Sequence, residues 1–360
     1  MIGDNESKYV NECLRTGWIS SKGSFVAQFE EDFSSFLGVK KSTSVSNGTV
    51  ALHLALKVLG IGPGDEVIVP TLTYIASINA ISYVGATPIF VDSENDTWNI
   101  DPSLISEKIS NKTKAILLVH LYGAPCNMKP IIKICQDKNL YLIEDAAEAF
   151  GTRQDGKYVG SFGDIATFSF FGNKTITTGE GGMVVSNHIP LIDRAAFLKN
   201  QAVSLDREYW HEEIGFNYRM TNICAAIGVA QLEMANKIIE KKIEIASWYR
   251  AELKGYPIEF QKERNGDQHS YWMVSILARS QSECNVIRSY LKESGVETRP
   301  VFNLATSMPV FRSDELFPVA KKISSCGINL PSFPALTSEQ VKYICTKVKA
   351  AIDSQVSDPA

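Results

Sequence analysis

Short apolar segments alternate with helical segments through the first part of the chain. The strand-like runs lie at 66–70, 87–91, 115–120 and 140–143, and segments with helical spacing lie around them at 49–59, 73–84 and 129–138. This alternation favours a mainly parallel sheet with helices on both faces. In such a sheet, ligands bind at the carboxyl ends of the strands. The sequence therefore predicts an α/β domain whose binding residues follow its strands.

The pattern changes beyond residue 162. An aromatic strand at 165–171 and a second strand at 182–185 flank a polar turn that contains Lys174. A helical stretch over 222–254 follows and leaves this domain. It is longer than a usual helix, so we expect it to be broken or bent.

The remaining residues have the pattern of a smaller α+β domain. Its elements, in order, are a strand at 271–277, a helix at 282–294, a strand at 296–302 and a last helix after Thr337-Ser338-Glu339-Gln340. That last tetrapeptide fits a capping box. We therefore expect a large domain over 1–245 and a small C-terminal domain over 246–360.

Composition excludes several classes of protein. The 360 residues are 44% apolar and 21% charged, which excludes disorder over most of the length. The net charge is −4 and no long basic run occurs, so we expect no nucleic-acid partner. The apolar runs are too short to cross a membrane, and the first residues lack the pattern of a secretory signal. Seven scattered cysteines and five dispersed histidines indicate reduced thiols in the cytoplasm and no metal site.

A candidate anion site precedes the first apolar helix. Ser46-Asn47-Gly48-Thr49 stands directly before this helix, whose first N–H groups point outward and carry a partial positive charge. A phosphate group fits such a position. The alternative is simple capping of the helix by a side chain of this segment.

Carboxylates and a lysine follow other strands. Glu144-Asp145-Ala146-Ala147-Glu148 comes after an apolar strand, where a carboxylate can hold a ring nitrogen in its protonated form. The alternative is a solvated loop or a charge at a helix start. Lys174 lies in an aromatic, glycine-containing turn, where a partly desolvated amine can act as a nucleophile. The alternative is an ordinary surface lysine. Tyr74 can stack on a planar ring, or it can belong to the core.

Together these groups match the needs of one cofactor, pyridoxal phosphate. Its phosphate needs a helix N-terminus, its ring needs a stacking partner, its pyridinium nitrogen needs an anion and its aldehyde needs an amine. All four kinds of group fall at strand ends or turns of one predicted α/β domain.

Six motifs, in order, resemble those of the sugar-nucleotide aminotransferases, a family with the aspartate-aminotransferase fold (fold type I). They are GWISSKG at 17–23, VSNGTVALH at 45–53, PTLTY at 70–74, EDAAEA at 144–149, FSFFGNK at 168–174 and NYRMTN at 217–222. The resemblance runs from about residue 8 to 347. It implies a large domain that binds pyridoxal 5'-phosphate and a smaller C-terminal α+β domain.

The resemblance also implies roles for the residues named above. Lys174 would bond covalently to the cofactor aldehyde and then move a proton between the substrate carbon and the cofactor. Asp145 would hold the pyridinium nitrogen, and Tyr74 would stack on the ring. Glu148 stands where many relatives carry Gln or His, near the 3-hydroxyl group of the cofactor.

Phosphate binding and subunit assembly are implied in the same way. The backbone of Gly48 and Thr49, with the Ser169 hydroxyl, would bind the phosphate. Asn217 would reach the phosphate from the partner subunit, and Arg219 is a second candidate for that role. The family resemblance therefore implies a homodimer with two shared active sites.

The implied reaction moves an amino group from an amino acid, L-glutamate, to C4 of a nucleotide-linked 4-keto-6-deoxy sugar. The leading substrate is GDP-4-keto-6-deoxymannose, and the alternative is a UDP- or dTDP-linked keto sugar. A catalytically silent scaffold with this fold is a third reading. The amino-sugar product would serve O-antigen and lipopolysaccharide biosynthesis.

Three departures from the family pattern bear on these expectations. Relatives carry several more residues before Gly3, which indicates a shortened start. Thr306 stands where relatives have His, and Asn303 and Leu304 replace an aromatic–proline pair. The loop that contains these residues is therefore expected to be remodelled, which leaves the choice of substrate open.

Overall fold

The computed structural model of the protein describes residues 2–204 and 206–356. The helices up to residue 252 are α1 (Asp4–Thr16), α2 (Ser24–Leu37), α3 (Gly48–Val58), α4 (Ala76–Tyr83), α5 (Pro102–Ile105), α6 (Met128–Lys138), α7 (Ile189–Lys199), α8 (Asn222–Glu233) and α9 (Ala235–Glu252). The strands of the same part are β1 (Lys41–Val45), β2 (Glu66–Pro70), β3 (Thr87–Val91), β4 (Thr113–Val119), β5 (Tyr141–Asp145), β6 (Arg153–Gln154), β7 (Lys157–Tyr158), β8 (Ile165–Ser169) and β9 (Gly182–Ser186).

The C-terminal part is shorter and mixes both kinds of element. Its elements are β10 (Glu259–Phe260), β11 (Asp267–Gln268), β12 (Val274–Leu277), α10 (Gln281–Glu293), β13 (Arg299–Pro300), α11 (Pro318–Cys326), β14 (Gly327–Leu330) and α12 (Ser338–Val356). Strands β10, β12, β14 and β13 form one antiparallel sheet in that order, and α10 and α12 pack together beside it. The last four residues of the predicted small domain lie outside the described residues.

A seven-stranded sheet organises the large part, in the order β1-β9-β8-β5-β4-β2-β3. The strand pairs from β3 across to β8 are parallel. Strand β9 is antiparallel to both of its neighbours, β8 and β1. A parallel return would need a crossover connection, and the segment between β8 and β9 contains no helix. The predicted mainly parallel α/β fold is therefore confirmed, with one reversed strand.

This reversal places a turn at the carboxyl end of β8. The predicted strand at 165–171 ends at Ser169, and Phe170 and Phe171 belong to the turn that leads to β9. Lys174 lies in this turn, and its N–H donates to the Phe171 carbonyl at 2.9 Å. Lys174 is thus held near the carboxyl ends of the strands, where ligands bind in such sheets.

Helix α2 shows how periodic aromatic residues build one face of the core. Phe29 and Phe33 are fully buried, and their rings contact Phe168 or Phe170 of the β8 segment with centres 5.1–5.4 Å apart. Helix α8 approaches from the other side at Gly228, where a Cβ atom would lie 2.7 Å from the Phe29 ring. Replacement of either phenylalanine by alanine would lower the free energy of unfolding by about 3–5 kcal/mol.

The predicted long helix over 222–254 is broken, as expected. Helix α8 ends at Glu233 and α9 begins at Ala235, with Met234 between them. Within α9, Ile238 packs into the core of the large part, whereas Ile245 packs into the core of the small part. The boundary placed at 245/246 therefore falls inside a continuous helix, and it stays a prediction.

The small domain differs from its sequence pattern at its strands. The predicted strand at 296–302 is reduced to Arg299–Pro300, because Pro300 has no N–H group to donate to a neighbouring strand. The predicted capping box is present: Gln340 N–H donates to the Thr337 hydroxyl at 3.3 Å, and Thr337 N–H donates to the Gln340 side chain at 3.0 Å. Across residues 2–204 and 206–356, no helix has both the length and the apolar composition that a membrane crossing requires.

Candidate active site

Asp145 is the last residue of β5, near the middle of the large sheet. Its side chain is only 4% exposed. One carboxylate oxygen accepts a hydrogen bond from the Ser77 hydroxyl at 2.7 Å, and the other accepts one from Ala147 N–H at 3.0 Å. Burial raises the pKa of this carboxyl, while these two hydrogen bonds and the charge of Lys174 oppose the shift. The carboxylate is thus fixed in orientation at the end of a central strand.

Glu144 does not share this site, although the sequence placed both carboxylates at it. Successive residues of a strand point to opposite faces, so Glu144 turns away from Asp145. It accepts backbone hydrogen bonds of 2.7 Å each from Gly160, Phe162 and Gly163. His120 adds a contact of 3.1 Å through Nε2. Glu144 therefore anchors a loop on the other side of the sheet.

Lys174 faces two carboxyl groups. Burial lowers the pKa of its amine, and the charges of Glu148 and Asp145 act in the opposite direction. The Nζ atom also lies 3.8 Å from the centre of the Trp272 ring. Because a desolvated amine has a larger neutral fraction than a surface lysine, this amine can attack a carbonyl carbon or accept a proton.

Glu148 lies beside Lys174 in the turn after β5 and is buried. Its Oε2 atom accepts a hydrogen bond from Tyr122 N–H at 2.9 Å. Burial is the main cause that raises the pKa of Glu148 to about 7, with Lys174 lowering it and Asp145 raising it further. The backbone of Tyr122 has a positive φ of 56°, a conformation that costs energy for a tyrosine and aims its N–H at the carboxylate.

Gly48, Thr49 and Ser169 meet where α3 begins. The Asn47 side chain caps the helix and accepts from Val50 N–H at 3.0 Å, which leaves the N–H groups of Gly48 and Thr49 directed out of the helix start. A Cβ atom at position 48 would lie 2.8 Å from Cβ and 3.1 Å from Oγ of Ser169. Both alternatives named for this segment are therefore present: the Asn47 side chain caps the helix, and the N–H groups of Gly48 and Thr49 point outward from its start.

Tyr74 lies in the loop between β2 and α4. Its side chain is 56% exposed, so it does not belong to the core, and its ring centre lies 5.7 Å from that of Phe302. Thr73, its neighbour, is within 3.2 Å of the Ser77 hydroxyl that donates to Asp145. The tyrosine thus lies in the loop directly before α4, the helix whose Ser77 orients Asp145.

Asn217 and Arg219 lie apart from these groups within the chain. Asn217 is exposed and accepts two hydrogen bonds from the Arg219 guanidinium, at 2.9 and 3.2 Å. The segment runs along the free edge of β1, where Ser46 N–H donates to the Tyr218 carbonyl at 2.8 Å. Its predicted contact with the phosphate of a partner subunit stays a prediction.

Thr306 occupies a buried position next to the site. Its hydroxyl lies 2.9 Å from the hydroxyl of Thr71, and the Ala305 N–H donates to the Thr71 carbonyl at 2.9 Å. The side chain is 5% exposed. Thr306 therefore ties its loop to the PTLTY segment, and Asn303 beside it is exposed.

Two residues of this site, Ser77 and Trp272, were not predicted from the sequence. Ser77 is reached through the turn of α4, three residues after Tyr74, and Trp272 comes from the small domain, about 100 residues from Lys174. Helical spacing of polar residues after PTLTY could have indicated Ser77. Trp272 could not be assigned without knowing how the two domains pack.

The residues present fit pyridoxal phosphate. Position 48 must be glycine for the helix start to approach Ser169, which forms a small cradle of N–H and hydroxyl groups suited to a phosphate. Asp145 offers a buried, oriented carboxylate for a pyridinium nitrogen, and Lys174 offers an amine. The donor set thus has the chemistry that each part of this cofactor needs.

Comparisons with known proteins identify the family of the chain. Residues 1–349 match the DegT/DnrJ/EryC1/StrS aminotransferase family. GDP-perosamine synthase of Escherichia coli O157:H7 is 56% identical over 95% of this chain and 94% of that protein. GDP-perosamine synthase of Vibrio cholerae is 50% identical over 97% of this chain and 96% of that protein.

Solved structures with the same fold include two from other bacteria. Spr1654 of Streptococcus pneumoniae in its PLP-form has a TM-score of 0.94 and 27% identity, covering 98% of this chain and 97% of that one. DesV of S. venezuelae has a TM-score of 0.91 and 30% identity, covering 99% and 95%. These likenesses confirm the predicted fold type I. The chain therefore belongs to the DegT/DnrJ/EryC1/StrS aminotransferase family, and it is a sugar aminotransferase that uses pyridoxal phosphate.

Proposed function

We propose that the enzyme transfers an amino group from L-glutamate to C4 of GDP-4-keto-6-deoxymannose and forms GDP-perosamine. The observation that carries this proposal is the cluster of Lys174, Asp145 and Glu148 beside the phosphate cradle, in a chain that matches GDP-perosamine synthases over nearly its whole length. A third relative of that name, from Caulobacter vibrioides, is 44% identical over 98% of the chain.

A UDP- or dTDP-linked keto sugar is the competing substrate. A dTDP-3-amino-3,6-dideoxy-alpha-D-galactopyranose transaminase of Aneurinibacillus thermoaerophilus is 36% identical over 94% of the chain. We keep this alternative in the test because the loop with Thr306 lies next to the site and departs from the family pattern. The higher identity to the GDP-perosamine synthases supports the GDP-linked sugar as the leading proposal.

Each residue of the candidate site would act on one part of the cofactor or substrate. Pyridoxal phosphate supplies an electron-withdrawing ring that accepts the electron pair left when a substrate carbon loses its proton. The N–H groups of Gly48 and Thr49 and the hydroxyl of Ser169 would bind its phosphate. Tyr74 would stack on its ring.

Asp145 would hold the proton on the ring nitrogen. Ser77 and Ala147 each donate to one of its oxygens, so the carboxylate keeps its direction without water. An anion in such a place strongly favours a cationic partner, because little solvent screens the two charges.

Lys174 would bond to the cofactor and then carry the proton. Burial keeps a fraction of its amine neutral, which it needs in order to accept a proton from the substrate carbon. Glu148 and Asp145 favour the charged amine that results. The two opposing influences suit a group that must take up and release one proton in each half of the reaction.

The active site would be completed by a second copy of the chain. Asn217, with Arg219 hydrogen-bonded to it, is exposed at the edge of β1 and is free of contact with the Lys174 cluster of its own chain in the described hydrogen bonds. We therefore keep the homodimer with shared sites as part of the proposal. The cytoplasmic location and the role in O-antigen and lipopolysaccharide biosynthesis also remain predictions, and the seven free cysteines, all in the described part, support a reducing compartment.

Replacement of Lys174 by alanine should abolish transamination. We expect turnover to fall by about a thousandfold or more, because the proton carrier is lost. The visible absorption of the lysine–cofactor bond should be absent, which absorption spectroscopy checks. Lys133→Ala is the matched control, since Lys133 is an exposed lysine paired with Asp137 on α6. Normal turnover in Lys174→Ala would refute the role.

Replacement of Gly48 by alanine should weaken cofactor binding. The added Cβ would lie 2.8 Å from Cβ of Ser169, so the helix start must move away from the hydroxyl. We expect the dissociation constant of pyridoxal phosphate to rise by about tenfold or more. Fluorescence titration measures it. Gly62→Ala is the control, because its Cβ would meet only the Val84 carbonyl, at 3.8 Å. Equal affinity in both variants would contradict the cradle.

Mixed dimers test the shared site. Lys174→Ala and Asn217→Ala are each expected to be nearly inactive, but a mixed dimer has one site in which both residues are intact. Equal mixing and reassociation should restore about a quarter of wild-type activity. Lys174→Ala mixed with Asp145→Asn is the control. Each site takes both Lys174 and Asp145 from one chain, so every site in this mixture lacks one of them and no activity should return. No restoration in the first mixture would argue against sharing.

A panel of keto sugars decides the substrate. GDP-, UDP- and dTDP-linked 4-keto-6-deoxy sugars would each be offered with L-glutamate, and the products identified by mass spectrometry. We expect kcat/KM to favour the GDP-linked sugar by about a hundredfold or more. The Lys174→Ala variant serves as the blank. Faster amination of a UDP- or dTDP-linked sugar would replace the GDP assignment while leaving the enzyme class intact.

A further inference from the structure

Trp272 connects the small domain to the turn that bears Lys174. It lies just before β12 and is 6% exposed. Its indole N–H donates to the carbonyl of Asn173 at 2.8 Å, one residue before the lysine. The centre of its ring lies 3.8 Å from Nζ of Lys174. One side chain therefore holds both the backbone of the turn and the amine itself.

The indole ring is fixed by its own neighbours. Tyr122 stacks against it at an angle of 25° with ring centres 6.0 Å apart. The Tyr122 hydroxyl accepts from Phe302 N–H at 2.9 Å, and the Tyr122 N–H donates to Glu148. The ring is thus part of a packed layer that also positions Glu148, so its place over the amine does not depend on a flexible side chain.

The ring acts on the charge state of Lys174 in a direction opposite to burial. The face of an indole attracts a cation but has no such attraction for a neutral amine. It therefore favours the protonated lysine. That is the form the amine takes after it accepts a proton, so the ring stabilises the state in which the proton is held.

We propose that Trp272 is a positioning residue for Lys174, which fixes the turn through its hydrogen bond to Asn173 and stabilises the protonated amine through its ring face. The inference rests on the proposed role of Lys174 as the residue that carries the cofactor and the proton. It adds a contribution from the small domain to a site otherwise built by the large sheet.

Other charged groups also act on this amine and must be held constant. Asp145 at the end of β5 and Glu148 after it both favour the charged form. Five further titratable or charged groups line the same cavity of about 760 Å³ as Lys174 and Trp272: Lys242, Glu297, Arg299, Glu339 and Tyr343. None of these residues is changed in a Trp272 variant, so a change in the pKa of Lys174 reports the loss of the ring.

Two variants separate the two contacts. Trp272→Leu removes the ring and the N–H donor but stays apolar, whereas Trp272→Phe keeps an aromatic face and removes only the donor. Trp248→Leu is the matched control, because Lys241 lies 4.2 Å from the centre of the Trp248 ring, away from the turn. Thermal unfolding of each variant verifies that it is folded before comparison.

The pKa of Lys174 is measured by competitive labelling with acetic anhydride across a pH series, with the labelled peptide quantified by mass spectrometry. The full-length chain is used after removal of cofactor and again as holoenzyme treated with L-glutamate. In Trp272→Leu we expect the pKa to fall by about one unit. In Trp272→Phe and Trp248→Leu we expect most of the wild-type value to remain. An unchanged pKa in Trp272→Leu would overturn the role of the ring.

Hydrogen exchange tests the other contact. Both Trp272 variants lack the indole donor, so the amides of residues 171–178 should exchange about tenfold faster than in the wild-type protein and in Trp248→Leu. Unchanged exchange in both variants would overturn the positioning role. Labelling of the cofactor-free chain and hydrogen exchange need no catalysis, so a failure in these two readouts is distinct from a failure of the Lys174 assignment, which Lys174→Ala tests.

Discussion

The rest of the site depends on a carboxylate that is kept out of water. Asp145 is buried at the end of a central strand, and its charge is supported by two hydrogen bonds and a lysine rather than by solvent. Each support comes from a different element: the start of α4, the turn after β5 and the turn between β8 and β9. The geometry of the sheet must therefore be correct before the charge can be tolerated, which links stability of the fold to the chemistry of the site.

Strands made of consecutive apolar residues could be located from the sequence, whereas a strand rich in polar residues could not. The strands at 66–70 and 87–91 have the predicted ends, because both pair in parallel and their apolar residues are contiguous; the first is buried, and the second is a partly buried edge strand. Strand β1 (Lys41–Val45) is rich in Ser and Thr, and its burial follows from pairing with β9 and packing of α2. Nothing in its local pattern indicated this.

The same distinction holds at the site. Lys174, Asp145 and Gly48 stand in short motifs at strand ends, so residue type and position were sufficient to select them. The period of two along β5 should have separated Glu144 from Asp145, since adjacent side chains of a strand face opposite sides. Ser77 could be suspected from its spacing after PTLTY, but its contact with Asp145 and the contact of Trp272 with Lys174 join distant parts of the chain and depend on packing.

Helix α9 joins the two hydrophobic cores without a break. Ile238 and Ile245 lie on one continuous helix, yet each belongs to a different core. A hinge between the domains would require at least one turn of that helix to melt and its buried side chains to lose their packing. A bend within α9 would therefore loosen both hydrophobic cores at once, so the connection between the two parts of the chain is mechanically stiff at this point.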